Sequence, residues 1–166
     1  LEFRRVLFRS YTHGALWLLL ALIRQGDAGR AHAALRVLLP TNHADTPERA
    51  REYRVEPYVL AADVYDAPGM VGRGGWTWYT GSAAWLAVWV FELLGYERRG
   101  NRARLNALLG DWPRAGLTIP FGRSRYHLTS DKSAARVTLD GVEIDDAFVT
   151  LVDDGKEHEA VFPSRS

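Results

Sequence analysis

The sequence contains no cysteine, so no disulfide staples it and no thiolate can hold a metal. Net charge is nearly absent as well. Its 21 Lys and Arg stand against 20 Asp and Glu, a formal +1 at pH 7. That balance argues against a nucleic-acid partner, which is bound through a large excess of basic side chains. Long apolar runs are missing too. The most apolar, Ala15 to Ile23 ("ALWLLLALI"), is about half the ~18–20 residues that span a bilayer. Arg24 and Asp27 follow it instead of a small-residue cleavage site, so it reads as a buried helix and not as a leader. With neither leader nor span, a cytoplasmic chain is the expectation.

What remains is the composition of a globular protein, 47% hydrophobic and 25% charged over 166 residues. Its character changes near residue 95. Before that point apolar residues recur at helical spacing. "THGALWLLLALIRQG" is apolar nearly all round, as a helix buried from several sides would be, and Gly26 is placed to end it. Asp27 caps the next helix, "AGRAHAALRVLL", which Pro40 stops. In "DTPERAREY", Thr46 is the N-cap and Pro47 the first helical residue. "VEPYVLAADVY" follows, with Glu56 at a helix start. Beyond the loop "DAPGMVGRGG" a last helix is expected over about Thr80 to Leu94. Trp85, Leu86, Trp89, Val90 and Leu93 form its stripe, and Gly95 is its C′ residue.

After residue 95 the pattern becomes that of strands. Gly100-Asn101 and Asp140-Gly141 sit between alternating arms and predict hairpins, and "LTIPF" and "SRYHLTS" are strands around Gly122. "FVTLVDDGKEHEAVF" repeats the hairpin pattern at Asp154-Gly155. The fold class expected is α then β: helices in 11–95, an antiparallel β domain in 96–166. Residues 1–10, "LEFRRVLFRS", share no pattern with either part and read as a non-native linker.

The stretch richest in chemistry is "GGWTWYTGSAAW", residues 74–85. Trp76, Trp78 and Tyr79 offer faces on which the C–H side of a sugar ring stacks. At a helix start, Thr80-Gly81 offers a hydroxyl, close backbone approach and free N–H groups to an anion. The residue types leave two readings open there, an anion cradle or a cap with close packing. His13 is likewise either a packed ring or a donor to an anion. Glu56 either stabilises a helix start or accepts a hydroxyl. Arg73 and His43 carry weaker signals. Asp63, Asp66, Asp145, Asp146, Asp153 and Asp154 are carboxylates available to a two-acid hydrolysis. The last four fall in strand turns and read as solvated. No metal site is expected.

"YTHGALW", "NHADTPERAREYRVEPYVLAADVY", "GRGGWTWYTGSAAWL" and "LVDDGKEHE", in that order, resemble the C-terminal end of glycoside hydrolase family 94, the former glycosyltransferase family 36. Within it the resemblance is strongest to the phosphorylase end of cyclic β-1,2-glucan synthetases. It implies the last helices of an (α/α)6 barrel followed by an antiparallel β-sandwich-like domain. It also implies an inverting glycoside phosphorylase, in which inorganic phosphate is co-substrate and no cofactor takes part. His13, Thr80 and Gly81 match phosphate-binding positions. Glu56, Tyr58, Trp76, Trp78 and Tyr79 fall in blocks near the sugar. The family's general-acid aspartate lies upstream of "YTH", so no catalytic residue is expected in this chain, which should be inactive alone. Its partners would be β-glucan or a glucosyl oligosaccharide, phosphate, and the upstream barrel of a parent attached to the bacterial inner membrane. The competing expectation is a non-catalytic carbohydrate-binding or structural module.

Overall fold

A computed structural model describes residues 11–78 and 80–165. Residues 1–10, read above as a linker, lie outside the described residues, as does Tyr79. The chain forms two compact units, one running to Trp89 and the other from Val90. The order is helices first and strands after.

Four α-helices are described: α1 (Thr12–Arg24), α2 (Ala28–Leu38), α3 (Pro47–Tyr53) and α4 (Thr80–Leu94). A 3-10 turn, Pro40–His43, follows α2. Local chemistry sets their ends. At the end of α1, Gly26 takes φ 75 while its N–H reaches the Ile23 carbonyl and that of Asp27 reaches Leu22. This is a Schellman stop, which an L side chain at Gly26 would strain. The Asp27 carboxylate then accepts from the Arg30 N–H at 3.0 Å and opens α2. Thr46 opens α3 in the same way, through Arg49 N–H at 3.3 Å.

Packing follows the apolar spacing. Leu16, Leu19 and Ile23 of α1 are buried, as are Ala31, Ala34 and Leu35 of α2. The expectation of burial on every side of α1 is met on one side only among the described residues, because Trp17 is 56% exposed. The stripe of α4 is also narrower than expected. Trp89 and Leu93 are buried, Trp85 and Leu86 are half-buried, and Val90 is exposed. Ser82, Trp89 and Leu93, at spacings of seven and four, share the buried face.

Glu56 does not begin a helix. Residues 54–78 are irregular, and the Glu56 carbonyl closes a turn by accepting from Val59 N–H at 3.1 Å. Val59, Leu60, Ala61 and Ala62 are all buried in succession, which one stripe of a helix does not do. The chain then doubles back. Ala62 N–H donates to the Trp76 carbonyl, Gly75 N–H to Asp63 and Tyr65 N–H to Arg73. The glycine pair makes this close approach possible. A Cβ on Gly75 would lie 1.8 Å from Asp63 Oδ1, and one on Gly74 would lie 2.3 Å from Val55 Cγ2.

The second unit holds two sheets. Strands β1 (Tyr96–Arg99), β2 (Arg102–Leu105) and β7 (Val149–Thr150) form one in that order. The other runs β3 (Arg114–Phe121), β4 (Ser124–Asp131), β8 (Glu157–Pro163), β5 (Val137–Leu139) and β6 (Val142–Ile144). Both feed one core: Ala103, Leu105 and Val149 from the first sheet meet Ile119, Tyr126, Leu128 and Phe162 from the second. The outer arginines of the first hairpin are not a free basic patch. Arg99, Arg102 and Arg104 lie 4.8 to 5.2 Å from the Phe148 ring, and Glu97 and Asp146 pair with them.

Hairpins form at Gly100-Asn101, Gly122-Arg123 and Asp140-Gly141. None forms at Asp154-Gly155, where β7 and β8 belong to different sheets and β8 runs parallel to β4. The backbone at that pair does not make the turn. A two-residue type I′ turn needs positive φ at both positions, as at Asp140 (50°) and Gly141 (78°). At the later pair only Gly155 has it. Asp154 is not simply solvated there: its Oδ1 accepts from Ser124 Oγ, Lys156 N–H and His158 Nε2. Asp153 accepts from Arg123 N–H at 2.8 Å, and Asp146 from Phe148 N–H at 3.0 Å.

Candidate functional site

Three of the expected site residues meet at one cavity in the helical unit. Tyr58, Trp78 and Thr80 line a space of about 230 Å³ with Val59, Leu60 and Leu86. Thr80 is the first residue of α4 and Gly81 the second, so both fall where backbone N–H groups have no helical acceptor. A helix of 15 residues carries partial positive charge at that end. Trp78 stands just before it with φ 60, a left-handed conformation that costs a bulky residue roughly 1–2 kcal/mol. Trp78 is 67% exposed and Tyr58 75%, so two aromatic side chains face outward beside a helix N-terminus.

Trp76 is 70% exposed, and its carbonyl accepts from Ala62 N–H at 2.7 Å. The Ala62 carbonyl in turn accepts from Thr12 N–H at 2.8 Å. This row of backbone bonds sets the start of α1, and with it His13, beside the segment that carries Ala62, which in turn lies against Trp76. Aromatic rings pack around His13. Its ring centroid lies 5.1 Å from Trp17 and 6.2 Å from Trp85, and those two indoles meet edge to face at 6.0 Å. Trp85 is five residues beyond Thr80, about 7.5 Å of helix rise. His13 thus flanks the second turn of α4 on its Trp85 side and is not among the residues that line the Thr80 cavity.

Glu56 is half-buried in its turn. His43 is held by structure: Nε2 donates to the Val37 carbonyl at 2.7 Å, and the ring stacks on Tyr53 at 4.9 Å. Among the described residues no group of three or more His, Asp or Glu is placed to hold a metal ion. Nor is any described helix long and apolar enough to cross a membrane.

One titratable centre escaped the sequence reading. His158, on β8, lies between Asp140 and Asp154, with Nδ1 2.7 Å from one carboxylate and Nε2 3.0 Å from the other. Nothing in "GKEHE" marks it, because Asp140 is brought to it only by the pairing of β5 with β8.

Exposed aromatics beside a helix N-terminus define a candidate carbohydrate-binding site, and the comparisons agree on the class. The profile of the Glycosyl hydrolase 94 superfamily, catalytic domain, matches residues 9–95. That is more than half of the chain, and the chain belongs to this family of carbohydrate-active enzymes. It is 47% identical over 106 residues to the cyclic beta-(1,2)-glucan synthase NdvB of Rhizobium meliloti (strain 1021). The match takes in 63% of this chain and spans 4% of that much longer protein.

Proposed function

We propose that the chain forms part of an inverting glycoside phosphorylase acting on β-linked glucan of the β-1,2 type, and that the Thr80 cavity is its phosphate and sugar site. The observation that carries this reading is Thr80 at the N-terminus of α4, lining one cavity with Tyr58 and Trp78, with Gly81 the next residue of the helix. The helices of the first unit would be the last of an (α/α)6 barrel, and the two sheets a β-sandwich-like domain.

Phosphorolysis asks little of the chain beyond position and electrostatics. A phosphate oxygen attacks the anomeric carbon from the face opposite the glycosidic oxygen. The bond to that oxygen breaks, and a carboxylic acid, supplied upstream of this chain, gives it a proton. A β-linked donor then leaves as an α-configured sugar 1-phosphate. Helix N–H groups suit the nucleophile because they hold it by hydrogen bonds while leaving it unprotonated. The Thr80 hydroxyl adds one donor. Tyr58, Trp78 and Trp76 offer stacking faces to the sugar, and Glu56 an acceptor for its hydroxyls. Alone, without the acid, the chain would be inactive.

Thr80→Val tests the reading, since it keeps size and branching but removes the donor. In the protein that joins this chain to its barrel, it should weaken phosphate use by about 1.5–3 kcal/mol, roughly tenfold to more than a hundredfold. The assay varies phosphate at saturating glucan. An unchanged phosphate dependence would remove Thr80 from the site.

A further inference from the structure

A second, larger cavity in the helical unit, about 470 Å³, is lined by Arg36, Asn42, His43, Asp45, Arg49 and Glu52. Its walls are fixed by their own hydrogen bonds. Asp45 takes Arg49 Nη1 on both oxygens, at 3.0 and 2.8 Å, and the same nitrogen reaches the Asn42 carbonyl at 3.2 Å. The Asn42 amide donates to the Arg36 carbonyl at 2.8 Å. Because a carbonyl only accepts, the bond to Val37 requires His43 to carry its proton on Nε2, which leaves Nδ1 of the neutral ring as an acceptor. Gly72 completes the lining. It takes φ 81, and a Cβ there would stand 3.8 Å from Glu52 Oε2, so its lack of a side chain leaves that carboxylate uncovered.

The lining's charges cancel: two guanidinium groups face two carboxylates. With no excess of either sign, the lining as a whole favours neither a phosphate nor a metal cation. A neutral ligand dense in hydroxyls suits it, because each hydroxyl both donates and accepts. The volume falls in the range of small-molecule sites. The geometry points to a second oligosaccharide site, separate from the Thr80 cavity, that holds a neutral stretch of glucan through Glu52 and Arg49. Only the choice of a glucan as ligand rests on the proposed function; the polyol class rests on the cavity.

The test is an NMR titration of the 166-residue chain with a β-1,2-linked glucose oligosaccharide. The amides of Asn42, His43 and Gly72 should shift with saturation. Glu52→Gln, an isosteric change at an exposed position, should weaken that transition about tenfold, and Trp78→Ala should leave it unaltered. Resonances of the β unit report that each variant is folded. Shifts confined to Tyr58, Trp78 and Thr80, and lost in Trp78→Ala, would overturn the second site while upholding the first. Shifts at neither place would overturn the second site, the first being tested separately by Thr80→Val in the joined protein. Equal shifts at Asn42 and Gly72 with inorganic phosphate alone, or with calcium alone, would overturn the neutral polyol as ligand.

Discussion

At the scale of single residues, His158 makes the clearest demand. With a carboxylate at each ring nitrogen and Tyr126 stacked at 4.5 Å, the ring's surroundings favour its doubly protonated form. Its pKa is raised above the ordinary 6.5, chiefly by the hydrogen bond to Asp140 and then by that to Asp154, against a smaller opposing effect of burial. In return the bond to His158 holds the carboxyl of Asp154 well below its usual range, with the Lys156 N–H next in importance. Asp140 is lowered likewise, by His158 first and the Glu159 N–H second. The histidine's contribution is complete below 6.5 and is lost as pH rises through its raised folded value. The carboxylates contribute above 3.8 and fade as pH falls through their depressed folded values. Thermal unfolding should therefore show the cluster's full effect between about pH 4 and 6.5, and a decline above. In His158→Gln the decline above pH 6.5 should flatten; the same slope in both proteins would show that the cluster does not set it. The sequence displayed Trp78 and Thr80 through one compact motif and Tyr58 through the separate block "VEPYVLAADVY". It hid His158, whose partner Asp140 is 18 residues away.

At the scale of elements, legibility followed how local the cause was. Asp27, Thr46 and Gly26 act within a few residues of themselves, and those helix ends were readable. So were the turns at Gly100, Gly122 and Asp140-Gly141. The segment from 54 to 78 was not, because its shape depends on Gly74 and Gly75 meeting Val55 and Asp63, a fit no periodicity reveals. Asp154-Gly155 failed as a hairpin for a similar reason, its carboxylate being tied to Ser124 on another strand. Gly95 provides a quantitative check. It takes φ 59, and a Cβ there would lie 2.0 Å from the Asn106 carbonyl oxygen. Gly141 takes φ 78 with nothing within 4 Å. Gly141→Ala should cost about 1–2 kcal/mol from the left-handed backbone alone. Gly95→Ala should cost more than that, because the backbone of Asn106 must also move. Urea unfolding midpoints compare the two; equal losses would mean that the Asn106 contact is not tight.

At the scale of the whole molecule, the change from helices to strands and the family were legible, because helical and alternating periods differ and the "GGWTWYTGSAAW" block is dense in unusual choices. The joining of Thr12, Ala62 and Trp76 by backbone bonds was not, since it needs three distant segments at once. The reaction proposed for the Thr80 cavity is phosphorolysis. The most direct measurement is phosphorus NMR of the protein carrying this chain on its barrel, given β-1,2-glucan with and without inorganic phosphate. The account predicts an α-configured sugar 1-phosphate that accumulates only when phosphate is present. Free sugar released at the same rate without phosphate, and no phosphorylated product with it, would contradict the account.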